Sequence, residues 1–284
     1  MTQFPPDVHA LIDASVAEDQ TFNDPTTQAV VPPEIQGTGR LRAKATGVLA
    51  GVDVAIAVFH RVDPTLNASA ILQDGAPLCP GDDIAVVRGS AAGILRAERI
   101  ALNFMQRMSG IASDTNRYVE AVRGLNARIV DTRKTAPGHR FLDKYSVRMG
   151  GGYNHRLNLA DGILIKDNHI QANAFREMGL KDVIKLALAR ASHTIKVEVE
   201  VESMDQVQEA LEAGAHIIML DNMSVPEMAE AMKVIGDQAI VEASGGITYD
   251  TVRAVAETGV DLISIGGLTH SVDALDISLD LEFD

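Results

Sequence analysis

Between Asp131 and Lys166 the chain gathers Arg133, Lys134, Arg140, Lys144, Arg148, Arg156 and Lys166 against Asp131, Asp143 and Asp161. Seven cations to three carboxylates leave this stretch at +4, before His139 and His155 are counted, in a chain whose formal net charge is -14. Cations concentrated in an acidic protein suit a small, strongly anionic ligand. Arginine offers a planar fork that fits carboxylate or phosphate with two hydrogen bonds; lysine offers a compact point charge. Arg133, Lys134, His155, Arg156 and Lys166 stand where apolar runs meet turns, the places where α/β enzymes carry their sites. Arg140, Lys144 and Arg148 repeat every four residues and are expected on one solvated helix face.

Carboxylates and glycines complete the candidate chemistry. In KVEVEVE (Lys196 to Glu202) valines take one face of a strand and glutamates the other. A parallel strand buries its apolar face against helices, so the glutamates are expected to look inward. Glu200 is then expected to meet Asp221 of the next strand, and the pair suits ribose hydroxyls or Mg2+ helped by a substrate phosphate. Ser244-Gly245-Gly246 and Gly266-Gly267 follow the last two apolar strands. Glycines there let backbone N–H groups approach a phosphate. These residues describe an enzyme acting on a phosphorylated sugar and a carboxylate-bearing partner.

The elements that must position these groups can be read from periodicity. Val8 to Glu18 reads as a helix, and the stretch from there to residue 35 as a polar loop. Short runs between Gly37 and Val87, broken by Gly, Pro and Asp, read as antiparallel strands with one helix between them. Ala91 to Arg123 reads as a long helical region interrupted at Ser109-Gly110. After Gly124, six apolar strands alternate with helices, the pattern of a β/α barrel or an open parallel sheet. Their C-terminal ends carry Asp131, Arg133 and Lys134; Lys166; Glu198 and Glu200; Asp221; Ser244 to Gly246; and Gly266-Gly267. The acidic tail is strand-like.

Composition narrows the class. With 284 residues and 46% hydrophobic content, one large domain, or one large and one small, has enough apolar mass for a core. The opening residues lack the basic start and apolar core of a secretory signal, and no apolar run reaches the ~18 residues of a membrane span. A lone cysteine, Cys79, excludes an intramolecular disulfide and a cysteine zinc site, so a cytoplasmic location is expected. The negative charge argues against nucleic acid as a bulk partner.

DTRKTAPGHR, KYSVRMGGGYNHR, ILIKDNHI, KVEVEV, IIMLDN, SGGI and GGLTH, in this order, resemble the quinolinate phosphoribosyltransferase family, and GVLAG and AERIALNFMQRMSGIAS extend the likeness upstream. EDQTFNDPTT departs from it, since the family usually has a glycine near Asn23. The resemblance implies an α/β protein: an N-terminal α/β sandwich domain over residues 1–110, to which the tail 271–284 returns, and an incomplete β/α barrel over residues 111–270. It implies a homodimer in which Arg99 reaches the partner's site, although spacing alone makes Arg99 a surface ion-pair partner of its own helix. The implied reaction joins quinolinate and phosphoribosyl pyrophosphate, with Mg2+, to give nicotinate mononucleotide, pyrophosphate and CO2. On this likeness Arg99, Arg133, His155, Arg156 and Lys166 form the dicarboxylate pocket, and Lys134, Lys166 and His270 meet phosphate oxygens. Glu200 and Asp221 hold ribose and Mg2+, and the two glycine pairs with Ser244 hold the 5′-phosphate. Other readings stay open on the residues alone: transfer to another ring such as nicotinate, a Schiff-base aldolase built on Lys166, or a binding protein that keeps the fold.

Overall fold

A computed structural model describes residues 4–283 of the chain; the first three residues of the opening stretch lie outside them. Among the described residues the strands are β1 (Gln36–Ala43), β2 (Gly47–Val48), β3 (Asn67–Ala70), β4 (Pro77–Leu78), β5 (Asp83–Ser90) and β6 (Arg128–Val130). They continue with β7 (Ile163–Ile165), β8 (Val197–Val201), β9 (Ile217–Asp221), β10 (Ile240–Ser244), β11 (Leu262–Ser264) and β12 (Ile277–Phe283). Contacts divide the chain into two compact units that interleave in sequence. Unit one takes the chain up to Asn116, Thr135–Gly151 and the chain from Gly267 on; unit two takes Arg117–Lys134 and Gly152–Gly266.

Unit one is built on an antiparallel sheet in the order β12-β1-β5-β3. β1 alternates exposed and buried residues along its length, as a strand with one face on a core must. The acidic tail pairs with β1 from Gly37↔Phe283 to Ala43↔Ile277, and Arg42 clamps it by reaching both Asp83 (2.6 Å) and Asp280 (3.2 Å). Helix Val52–Val62 contributes Val54, Val58 and Phe59 to a core that also holds Leu41, Ile84, Ile94 and Met105.

Three expectations fail in this unit. The long helix runs unbroken from Ala91 to Ala121 through Ser109-Gly110. A Cβ at Gly110 would stand 2.1 Å from the Asp273 carbonyl oxygen, so the glycine admits the passing tail and does not end the helix. Ser109 Oγ meanwhile donates to the Ala50 carbonyl and accepts from its amide. The segment after Glu18 is not simply loop: it carries a 3-10 turn at Thr21–Asn23 and a short helix, Pro25–Val30. Asp24 caps that helix by accepting from the amides of Thr26 and Thr27, and Pro25 fills the first position. Finally, Arg140, Lys144 and Arg148 do not share a solvated face. Arg148 is exposed, Arg140 is half-buried with Nε donating to Thr135, and Lys144 is 3% exposed. A spacing of four says that side chains share a stripe, not which way the stripe faces, and helix Arg140–Met149 is covered on more than one side.

Unit two is a six-stranded, wholly parallel sheet in the order β6-β11-β10-β9-β8-β7. Every strand neighbours its sequence successor except where β6 and β7 would meet. This is the strand order of a β/α barrel left open at one seam. The free edge of β6 is covered by its own chain: Tyr153 bridges Val130, its amide donating to Ile129 and its carbonyl accepting from Asp131. No described helix is long and apolar enough to cross a membrane.

The buried carboxylate of Asp143 takes Nε and Nη2 of Arg107 at 3.1 and 3.0 Å, and Arg107 also donates to the Thr269 carbonyl. Replacing Arg107 by Met leaves a buried charge unpaired; unfolding in urea is expected to show a loss of about 3 kcal/mol.

Candidate active site

Unit two assembles its polar groups at the C-terminal ends of its strands. Asp131, fully buried after β6, accepts from Asn154 Nδ2 at 2.6 Å and from the His155 amide at 2.9 Å. Those bonds and the Tyr153 bridge fix Asn154-His155-Arg156 against the strand that leads into Arg133. The sheet interior supplies the next contacts. Nε2 of His155 lies 3.3 Å from Glu198 of β8 and 3.5 Å from Glu242 of β10. Its other nitrogen, Nδ1, accepts the Arg156 amide at 2.7 Å. An Nδ1 that accepts the amide leaves Nε2 as the ring's donor position, facing the two glutamates.

Arg156 turns Nη1 to the Gly162 carbonyl (3.2 Å). Burial first, and then the neighbouring charge of Arg133, lower the proton affinity of its guanidinium; Glu198 partly offsets them. Arg133 in turn has a buried Nε without a partner among the described residues. Two guanidiniums close enough to repel, one with an unanswered donor, form a receptor for an anion.

Lys166, directly after β7, holds Glu200 of β8 through Nζ–Oε2 at 2.6 Å. It is an ion-pair partner and does not stand alone in an apolar pocket as a Schiff-base lysine would. The expected meeting of Glu200 and Asp221 is offset. Glu200 registers with Met219, and Asp221 lies two residues further, level with Ser244. A parallel register keeps both on one face but one row apart. Asp221 accepts from Asn222 Nδ2 at 2.8 Å. Asn222 adopts a left-handed backbone (φ 54) and donates its amide to Ser244. Gly245 has φ +89, and a Cβ there would sit 2.3 Å from Asn222 Oδ1, so only glycine fits this close crossing. Gly246 and Gly266 complete the polar rim of unit two. Lys134 is exposed beyond β6, its amide on Thr132 Oγ1.

Arg99, Gly267 and His270 belong to unit one. Arg99 is exposed, and among the described residues no hydrogen bond or ion pair is found for it, against the surface-pair expectation. It lines a cavity of about 360 Å³ with Asn103, Phe104, Arg107, His139 and Asp143. Gly267 opens the short helix Gly267–His270, and His270 Nδ1 meets Ser271 Oγ at 2.7 Å.

Two donor sets have the types for a cation. His155, Glu198 and Glu242 bring one ligand atom each within 4.8 Å of one another. A metal on Nε2 would require Nδ1 to carry the proton, yet Nδ1 accepts the Arg156 amide, so this set suits a cation poorly. Glu200 and Asp221 do fit Mg2+, which takes one or two carboxylates and completes its shell with water and phosphate. Glu242 escaped the sequence reading. Its signal was a lone glutamate inside the apolar strand IVEAS, a position that demands a buried partner. Asp131 reads from sequence as a strand end, and nothing local marks it as the anchor of the loop that follows.

Family models described as the N-terminal and C-terminal domains of quinolinate phosphoribosyl transferase match residues 24–109 and 111–280. The chain is 42% identical over 264 residues to a probable nicotinate-nucleotide pyrophosphorylase (carboxylating) of Bacillus subtilis, covering 93% of this chain and 90% of that protein. It is 43% identical over 263 residues to the nicotinate-nucleotide pyrophosphorylase (carboxylating) of Mycobacterium leprae, covering 91% of each. The crystal structure of NadC from Streptococcus pyogenes superposes with a TM-score of 0.93 at 40% identity over all of both chains.

Two outcomes test this geometry. Burial, and then the Glu198 charge, push the Glu242 carboxyl up to about 7 from an ordinary 4.5. Between those values the unfolded chain releases a proton that the folded chain keeps, so this group's contribution is full at low pH and lost as pH rises through the window. The melting temperature of Glu242→Gln relative to wild type is therefore expected to improve from pH 5 to pH 8. Gly245→Ala is expected to lower stability by about 1–2 kcal/mol from its left-handed backbone alone, with a further drop as Asn222 is displaced.

Proposed function

The chain belongs to the quinolinate phosphoribosyltransferase family, and on that premise we propose how the polar strand ends of unit two carry the reaction. The enzyme is a decarboxylating pentosyltransferase of NAD synthesis: it makes nicotinate mononucleotide from quinolinate with loss of CO2. The phosphoribosyl donor is phosphoribosyl pyrophosphate. The observation that carries the substrate reading is the pair Arg133 and Arg156, two guanidiniums within electrostatic reach of one another, the first with a buried Nε donor that has no partner among the described residues. A ring with adjacent carboxylates answers both.

The quinolinate nitrogen attacks the anomeric carbon as the bond to pyrophosphate breaks. Glu200 and Asp221, on one face of neighbouring strands, contact the ribose and offset the positive charge growing at that carbon. Lys134 and Lys166 meet pyrophosphate oxygens, and Ser244, Gly245, Gly246 and Gly266 take the 5′-phosphate. Once the nitrogen carries the ribose, the neighbouring carboxylate leaves as CO2. Its electron pair stays on the ring beside N+ and is then protonated from water. No protein nucleophile is required, so the side chains contribute orientation and charge. Mg2+ held through Glu200 and Asp221 would supply charge neutralisation on the departing pyrophosphate.

The proposal includes a homodimer in which Arg99 of each subunit serves the other's site. An exposed arginine with no hydrogen bond or ion pair among the described residues supports it. A cytoplasmic location is also part of it, consistent with a single cysteine that is exposed and unpaired.

With phosphoribosyl pyrophosphate and Mg2+ supplied, nicotinate mononucleotide is expected from quinolinate and not from nicotinate. Arg133→Ala is expected to lower kcat/KM for quinolinate by roughly 10- to 100-fold, the value of one charged hydrogen-bonded contact. Equal use of nicotinate, or near-normal quinolinate turnover by Arg133→Ala, would contradict the assignment.

A further inference from the structure

His155 lies between the strand end at Asp131 and the interior glutamates of unit two, and both of its ring nitrogens face groups of this chain. A histidine that grips a substrate carboxylate must present a free N–H or a positive charge to it. Here Nδ1 accepts the Arg156 amide, and Nε2 faces Glu198 and Glu242. Both glutamates are more than nine-tenths buried, and each has an Oε1 without a hydrogen-bond partner among the described residues. Two sheet carboxylates kept out of water on one imidazole are costly unless they hold something in place.

What they hold can be followed atom by atom. Asp131 accepts the His155 amide, and the glutamates take the Nε2 edge of the ring. With both ends fixed, Nδ1 can point only at the next amide, that of Arg156. This sets the backbone from which the Arg156 guanidinium reaches the Gly162 carbonyl and stands beside Arg133.

We propose that Glu198 and Glu242 are positioning residues for the anion receptor, acting through His155 on Arg156, and that His155 itself gives no charge to the substrate. The proposal rests on the reading of Arg133 and Arg156 as the quinolinate grip and deepens it: specificity for the dicarboxylate is set two residues deep, in the sheet. The groups facing Glu242 are Glu198, His155, Ser264 and Lys166. With Nε2 turned to both glutamates, Nδ1 is the ring nitrogen left to accept the Arg156 amide.

The test pairs kinetics with the state of the ring. In nitrogen-15 spectra of the wild type, the His155 signals, identified by their loss in His155→Gln, are expected to show the Nε2–H neutral tautomer from pH 6 to 8. Glu242→Leu is expected to raise KM for quinolinate about tenfold while KM for phosphoribosyl pyrophosphate stays within about twofold. Glu242→Gln keeps shape and hydrogen bonding and is expected to restore the quinolinate KM to within about threefold of wild type. An Nδ1–H or doubly protonated His155 in the wild type overturns the proposal even if every glutamate variant misfolds. So does a Glu242→Leu enzyme in which both KM values rise alike or only kcat falls. Wild type that binds no quinolinate would instead overturn the reading of the grip, and the ring's tautomer would still decide whether the glutamates hold it.

Discussion

Charge taken out of water must be answered by donors in fixed places, and unit two buries three carboxylates: Asp131 just after β6, and Glu198 and Glu242 inside β8 and β10. Their donors are not scattered. Asp131 takes the Asn154 side chain and the His155 amide, and the glutamates take the His155 ring. One short loop thus faces carboxylates from three strands, although one oxygen of each glutamate stays without a partner among the described residues, and Arg156 inherits its position from that loop. The open seam of the sheet makes this possible. Because β7 does not pair with β6, the chain around Tyr153 can lie along that edge and deliver the loop to the strand ends.

The chemistry then follows from what is left unanswered. Lys166 and Glu200 neutralise one another, Asp221 is steadied by Asn222, and His155 is spent on its own chain. Arg133 and Arg156 remain as like charges that feel one another, an arrangement that suits an anion. A dicarboxylate ring offers two carboxylates for two arginines, and the reaction that follows needs charge and alignment more than it needs acid or base from the protein.

Much of this was legible in the sequence, and for specific reasons. The alternation in KVEVEVE fixed the inward face of β8, because period two leaves no other choice once the valines are buried. Six apolar runs ending in polar residues foretold the parallel sheet and its rim. Pairing between remote strands was not legible: Glu200 missed Asp221 by one row because register is set by the whole sheet. Glu242 was passed over because a single glutamate in an apolar run looks like an accident until its partner is known. Gly110 read as a helix break because nothing local reveals that the tail, some 160 residues later, crosses there. Lys144 read as solvated because spacing reports a stripe and not its surroundings.

A crystal structure with quinolinate bound would test the central claim most directly. The account predicts carboxylate oxygens within hydrogen-bond reach of both the Arg133 and Arg156 guanidiniums, with the His155 ring unmoved and its Nδ1 still on the Arg156 amide. Quinolinate held by the His155 ring, with the arginines turned elsewhere, would contradict it.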